Sequence, residues 1–398
     1  MPTCRDRLVV ILSSSTYDMP VAIPTLRPWI PPAETKADVK WANLRTIDLS
    51  QFDSPIAVER EAVYENFKTA VFEDGFLYLV NFGLTQEEID EQFAIAQNAL
   101  IDSQITPEEK ERLEWKYLNT GKYTGYKPRG YWDIAKGVKD NVESFNYYSE
   151  TMCDGGHLPV CLRNHIDKIA QFNQYCHDVI NKKLLSLLSR MLELPENYLW
   201  DNVQSHNGVI GEGYFRQMMF HPVSESNRKK AEVQMHGHQD YGVTTLLLSQ
   251  PIAALQVLSA DGDWRYVKYK PGGMIVNLGE VLEFLSGGHL PATRHRVTQC
   301  PPDQADQYRL TIGLFTAAKN DVSLAPLTTS PLLAREGYVS RFEPGAEGIV
   351  DATKIPTAEE WRIARVLRSQ TPPEDIVEVK GVKYNRQYFR GIYVLEPI

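Results

Sequence analysis

Apolar residues recur at helical spacing in the first half of the chain and at alternating spacing in much of the second. Ala62, Val63, Phe67, Ala70 and Val71 follow the helical period up to Asp74. Ser54-Pro55 supplies an N-cap and a proline for the first helical position. Thr46–Ser50 and Gly75–Val80 read as short strands on either side of that helix. Thr85-x-x-Glu88 and Thr106-Pro107-x-Glu109 are capping boxes that start two more helices. Ile169, Phe172, Ile180, Leu184, Leu187 and Leu188 form one apolar face, which predicts a long helix over residues 165–195. From 203 to 320 the pattern turns to strands, with turns at Asp261-Gly262 and Pro271-Gly-Gly273. Thr357-x-x-Glu360 caps a last helix through about Ser369, and the tail from Val377 to Ile398 is strand-like and aromatic.

This order predicts one structural unit in four parts. Residues 1–40 form an irregular arm on the core, and 41–200 a helical segment packing against it. Residues 201–320 form a β core, and 321–398 a loop, helix and tail. A chain of 398 residues, 43% hydrophobic, can bury a large core. A net charge of −9 argues against a nucleic-acid surface and against a polybasic membrane patch. No apolar run reaches the roughly 18–20 residues of a membrane span, and Leu8–Leu12 is too short for a signal-peptide core. Five cysteines in so long a chain do not suggest a disulfide scaffold. The expectation is a cytoplasmic enzyme acting on a small molecule, with its oligomeric state unspecified.

The candidate chemistry lies in Gln234-Met-His-Gly-His-Gln-Asp-Tyr-Gly-Val-Thr-Thr and in Arg294-His-Arg-Val297. His238 and Asp240 are two apart, so on a strand they project from one face. His295 follows 57 residues later, far enough for intervening strands to return it to the same place. Two imidazoles and one carboxylate on one side of a metal leave its other side open. That set suits a non-haem Fe(II). Arg309 and Thr311 form a second i, i+2 pair, in which a guanidinium beside a hydroxyl makes a cradle for a carboxylate.

His-x-Asp alone occurs by chance in many chains; its surroundings are more specific. His238-Gln-Asp-Tyr-Gly-Val-Thr-Thr-Leu-Leu, Gly262-Asp-Trp, Pro271-Gly-Gly, Val276-Asn-Leu-Gly-Glu280, Ser286-Gly-Gly288, His295-Arg-Val297 and Arg309-Leu-Thr311 come in one order. The run resembles the isopenicillin N synthase-like family of Fe(II)/2-oxoglutarate-dependent dioxygenases, and its local wording is most similar to the fungal branch. Asp74-Gly-Phe-Leu-Tyr-Leu-Val-Asn81 and Pro107-Glu-Glu-Lys110 resemble the same family's N-terminal segment. The resemblance implies a mainly β fold with flanking helices, a double-stranded β-helix or jelly roll. It implies Fe(II) on His238, Asp240 and His295, and 2-oxoglutarate held at its far carboxylate by Arg309 and Thr311, with O2 as the other cosubstrate. The family's Arg-x-Ser is Arg309-x-Thr311 here, which keeps the hydroxyl. The implied reaction is hydroxylation, desaturation or oxidative ring closure at an unactivated C–H bond, in secondary metabolite biosynthesis.

Other residues follow from the same resemblance. Many members place a tyrosine where this chain has Met219-Phe-His-Pro222, so His221 is a candidate replacement beside the cosubstrate. Asn277 is a candidate on the same side. Tyr126, Arg129 and Tyr147 lie in the Gly- and Tyr-rich stretch 119–150 that borders the family's substrate mouth. His236 could share a strand face with His238 and is assigned to the pocket rather than to the metal. Cys153, His157, Cys161 and His165 recur every four residues, but Gly155-Gly156 and Pro159 interrupt any helix, so the spacing is read as coincidence rather than zinc. Two other readings stay open. One is an oxidase of the same fold that needs no 2-oxoglutarate; the other is a metal-free binding protein on a jelly-roll scaffold.

Overall fold

The computed structural model describes residues 26–115, 123–148, 152, 157–205, 213–342, 352–368, 375–379, 382–389 and 392–397. In chain order the strands are β1 (Thr46–Asp48), β2 (Phe76–Val80), β3 (Gly125–Lys127), β4 (Asp133–Ala135), β5 (Val138–Lys139), β6 (Val142–Tyr147) and β7 (Tyr214–Phe220). Then come β8 (Val233–His238), β9 (Thr244–Leu248), β10 (Leu255–Leu258), β11 (Trp264–Tyr266), β12 (Met274–Leu278), β13 (His295–Thr298) and β14 (Arg309–Phe315). A terminal group follows: β15 (Ile376–Val379), β16 (Val382–Phe389) and β17 (Ile392–Pro397). The major sheet runs β1-β2-β12-β9-β14-β7-β6-β3, and the minor sheet β11-β10-β13-β8. Together they make a distorted jelly roll with helices packed on the outer side of the major sheet.

Alternation along the strands separates two environments. On the outer face Phe145, Tyr147, Phe215, Met219, Leu246, Val276, Leu310, Ile312 and Leu314 join one large core with the helices Ala57–Glu73, Ile166–Tyr175 and Lys182–Met191. The opposite face turns toward the minor sheet. There Val142, Met218 and Phe220 pack with Val297 and Cys300. Phe76, Tyr78 and Ile275 pack with Leu255 and Val257. The polar residues of the site share this inner face with those two apolar clusters.

Several local expectations hold for stated reasons. Thr85 and Thr106 close capping boxes with Glu88 and Glu109, and Thr357 exchanges the same pair of bonds with Glu360. The helix expected over 165–195 is continuous but contains a π turn at Cys176–Asn181, which divides it into Ile166–Tyr175 and Lys182–Met191. The arm from residue 26 lies on the core, with Trp29 stacked on Phe93 at 4.1 Å between ring centroids. The Gly- and Tyr-rich stretch 119–150 contains strands that its sequence pattern does not mark. Its described part folds into β3–β6, and β3 and β6 extend the major sheet beyond β7. Of the four residues at intervals of four, Cys153 lies outside the described residues. The other three do not gather with further ligating groups, and among the described residues only His238, Asp240 and His295 form such a group.

Candidate active site

Antiparallel pairing of β13 with β8 sets His295 opposite His238. Their rings lie 4.4 Å apart between centroids. Asp240 Oδ1 is 3.8 Å from His238 Nε2 and 3.7 Å from His295 Nε2. Each imidazole directs its other nitrogen to a backbone carbonyl: His238 Nδ1 lies 2.9 Å from His236 O, and His295 Nδ1 lies 3.2 Å from Thr293 O. With the proton on Nδ1, both Nε2 lone pairs face the carboxylate. Burial and the neighbouring His295 push the His238 imidazole down to about 4, which keeps it neutral and able to ligate. Burial would raise the Asp240 carboxyl. The two imidazoles, with hydrogen bonds from Thr245 and Asn277, outweigh it and hold the group below its ordinary value.

Asp240 is held from both sides. Its Oδ2 accepts from Thr245 Oγ1 at 2.6 Å and from Asn277 Nδ2 at 2.8 Å. Those two donors are paired in register across β9 and β12. The Asp240 carbonyl accepts from Glu280 N at 2.7 Å. This close approach requires two glycines. A Cβ on Gly279 would sit 2.2 Å from Gly242 O, and one on Gly242 would sit 2.2 Å from Thr316 O. The Gly in Asp240-Tyr-Gly and the Gly in Asn277-Leu-Gly therefore let two backbones meet where the carboxylate must be aimed. Behind them Glu280 is fully buried and tied to Arg341, Trp361 Nε1 and Arg365 at 2.9–3.0 Å, which anchors the C-terminal helix to the site.

Arg309 and Thr311 lie on the inner face of β14, and Arg309 Nη1 donates to Thr311 Oγ1 at 2.6 Å. Arg309 is 3% exposed, and its buried Nε has no hydrogen-bond partner. No carboxylate among the described residues pairs with it. Burial lowers its guanidinium to about 10, so it remains cationic at neutral pH. An unneutralised buried cation is costly unless an anion joins it.

The remaining candidates fall elsewhere. His221 turns to the outer face, where its Nε2 lies 2.7 Å from Glu143 Oε1. The residue in register with Arg309 is Phe220, whose ring lies 5.3 Å from the guanidinium carbon. An apolar ring thus stands beside Arg309, and His221, the candidate for that place, faces Glu143 instead. Asn277 donates to Asp240. Tyr126 and Tyr147 belong to the outer-face core: Tyr126 donates to Glu143 at 2.5 Å and Tyr147 to Gln217 at 2.9 Å. Arg129 is bound to Asn141 at the surface. His236 is exposed and reaches Ile134 O at 2.8 Å, bracing the β4–β5 hairpin against β8. The sequence pattern alone did not single out Thr245, although it carried a signal: it follows Asp240 by five residues in the Gly-Val-Thr-Thr run.

Comparison with known proteins agrees with this geometry. The family model of the 2OG-Fe(II) oxygenase superfamily matches residues 212–318, and that of the non-haem dioxygenase in morphine synthesis N-terminal segment matches 44–164. The 2-oxoglutarate-dependent dioxygenase FG08081 of Gibberella zeae is 28% identical over 78% of this chain and 90% of its own. Among solved structures, a full-length Neurospora crassa protein in complex with alpha-KG aligns with a TM-score of 0.66 at 18% identity, covering 81% of this chain and 95% of that one. JOX2 in complex with 2OG, Fe and JA aligns at 0.62 and 20%, covering 94% and 95%.

The chain belongs to the 2OG-Fe(II) oxygenase superfamily. It is an Fe(II)/2-oxoglutarate-dependent dioxygenase, with Fe(II) and 2-oxoglutarate as its cofactors. The donor sets described above suit both: two neutral nitrogens and a carboxylate for the iron, and a buried guanidinium beside a hydroxyl for an organic acid. No helix among the described residues is long and apolar enough to cross a membrane.

Proposed function

We propose that His238, Asp240 and His295 hold the iron, and that Arg309 and Thr311 hold the far carboxylate of 2-oxoglutarate. The enzyme then oxidises an unactivated C–H bond of a small organic molecule by hydroxylation, desaturation or ring closure. The observation that carries this reading is the buried Arg309, with an orphaned Nε and no acidic partner, on the sheet face that also bears Thr245 and Asn277. Bound together, iron, 2-oxoglutarate and O2 supply an oxidant able to take hydrogen from such a bond, and 2-oxoglutarate leaves as succinate and CO2. The chain's own part is to fix the ligands through Thr245, Asn277 and two backbone carbonyls, and to pair the cosubstrate's charge. The apolar clusters at either end of the inner face limit access of water. Secondary metabolism is the setting that the resemblance to the fungal branch supports.

The test is anaerobic titration of the Fe(II) protein with 2-oxoglutarate, followed by oxygen and quantitation of succinate. A weak visible charge-transfer band and stoichiometric succinate are expected. Oxygen consumption with substrate but without succinate would instead establish an oxidase of the same fold.

A further inference from the structure

A second cation lies on the same inner face of the major sheet. Arg216 lies on β7 opposite Gly313, between the pairs Tyr214–Phe315 and Met218–Thr311. Its Nε donates to Asn146 Oδ1 at 2.7 Å. Asn146 is fully buried and is itself fixed by donating to Tyr123 O at 2.7 Å. The guanidinium carbon lies 4.6 Å from the Tyr214 ring centroid, 5.1 Å from that of Phe315 and 5.6 Å from that of Trp115. Tyr214 and Phe315 stack on one another at 5.2 Å.

The charges around Arg216 leave it unmatched. No carboxylate among the described residues pairs with it, and its two terminal nitrogens make no hydrogen bond among them. The neighbouring buried Lys127 is neutralised by Asp140 at 2.6 Å. Asn146 and the rings fix the stem and faces of Arg216 and leave the two-nitrogen edge for a ligand. A planar guanidinium edge matches a carboxylate in a bidentate pair. The stacked rings offer a flat apolar wall beside that edge.

Position separates this site from the one on Arg309. Gly313 and Arg309 are four residues apart on β14, roughly 14 Å along the strand. Arg216 lies much nearer the metal group. Phe315 pairs with Thr245, whose hydroxyl reaches Asp240, and Arg216 stands two strands across, roughly 10 Å, and two residues along, roughly 7 Å, from Thr245, whereas Arg309 is six residues, roughly 20 Å, along β14 from Phe315. Tyr241, directly after Asp240, brings its hydroxyl to 3.5 Å from that of Tyr214.

We propose that Arg216 is the anchor for a carboxylate on the oxidised substrate, and that Tyr214, Phe315 and Trp115 pack against its apolar body. The substrate is thus an organic monocarboxylic acid with an apolar, preferably aromatic, skeleton. The inference rests on the function proposed above for what happens to the bound acid, but not for the binding itself.

The test uses fluorinated arylacetates and alkyl carboxylates, each paired with its neutral amide, titrated into the protein with Mn(II) and 2-oxoglutarate and followed by fluorine NMR. At least one acid is expected to bind about tenfold or more tightly than its amide and to be broadened by the metal. Arg216→Gln should erase that preference, Arg216→Lys should restore part of it, and both should bind 2-oxoglutarate as the wild type does. No acid preference in any pair, a preference that survives Arg216→Gln, or displacement of the acids by 2-oxoglutarate would each overturn the proposal. Failure of the wild type to bind 2-oxoglutarate, with acid preference intact in the metal-free protein, would sink the cosubstrate assignment and leave the anchor standing.

Discussion

Asn277 Nδ2 lies 2.8 Å from the Asp240 oxygen that is turned away from both imidazoles. Asn277 thereby fixes which Asp240 oxygen faces His238 and His295. Substitution of Asn277 by Ala should leave the fold intact and weaken divalent metal binding by roughly ten- to a hundredfold, the usual cost of losing a partner that orients a ligand. Mn(II) titration followed by electron paramagnetic resonance would measure it. An unchanged dissociation constant would show that Thr245 alone suffices to orient the carboxylate.

Asp240→Ala removes the anionic member of the group. Turnover should vanish and bound iron should fall well below one per chain, while the circular dichroism spectrum stays that of the wild type. Full activity with stoichiometric iron would reject the ligand assignment.

Arg309→Leu and Thr311→Val should separate in magnitude. Losing one partner of a partly buried charged pair costs roughly 2–5 kcal/mol, so the dissociation constant for 2-oxoglutarate should rise from about thirtyfold to several thousandfold. Losing a neutral hydroxyl donor costs about 1–3 kcal/mol. Titration of 2-oxoglutarate into each Fe(II) protein gives the order. If Arg309→Leu binds it normally, the carboxylate is held elsewhere.

Glu143 predicts an acid-dependent stability. Burial alone would raise its carboxyl, but hydrogen bonds from His221, Tyr126 and Lys110 outweigh burial and hold it at about 2. A folded value below the ordinary 4.5 means the stabilisation is complete above pH 4.5 and is lost as pH falls toward 2. The difference corresponds to about 3 kcal/mol. Urea melts of wild type and Glu143→Gln between pH 7 and 3 should converge as the pH drops. A constant gap across that range would assign the cluster a packing role only.

The metal and cosubstrate candidates were legible because their side chains sit in a run of flanking residues with one consistent order. Gly242 and Gly279 allow the backbone approach, Thr245 and Asn277 orient the acid, and Arg309 stands two residues from its hydroxyl partner. The pocket candidates were less legible for a reason of phase. A period of two says that neighbours face opposite ways but not which of them faces inward. His221 and Phe220 are adjacent, and pairing across β14 puts Phe220 beside Arg309. The same ambiguity leaves Arg216 unmarked in the sequence. The strands of 125–147 were obscured by glycines and aromatic residues that serve loops equally well.

On β14 Arg309 and Thr311 alternate with Leu310 and Ile312, the first pair on the inner face and the second in the core. A point substitution there alters one side chain and leaves the rest in place. Deletion of a single residue just after Arg309 would send every later side chain to the opposite face, burying a hydroxyl among leucines and turning leucines toward the inner face. Activity and foldability then fail together. Descendants of this gene can lose the enzyme and keep the protein by substitution, but this strand has almost no freedom to change its length.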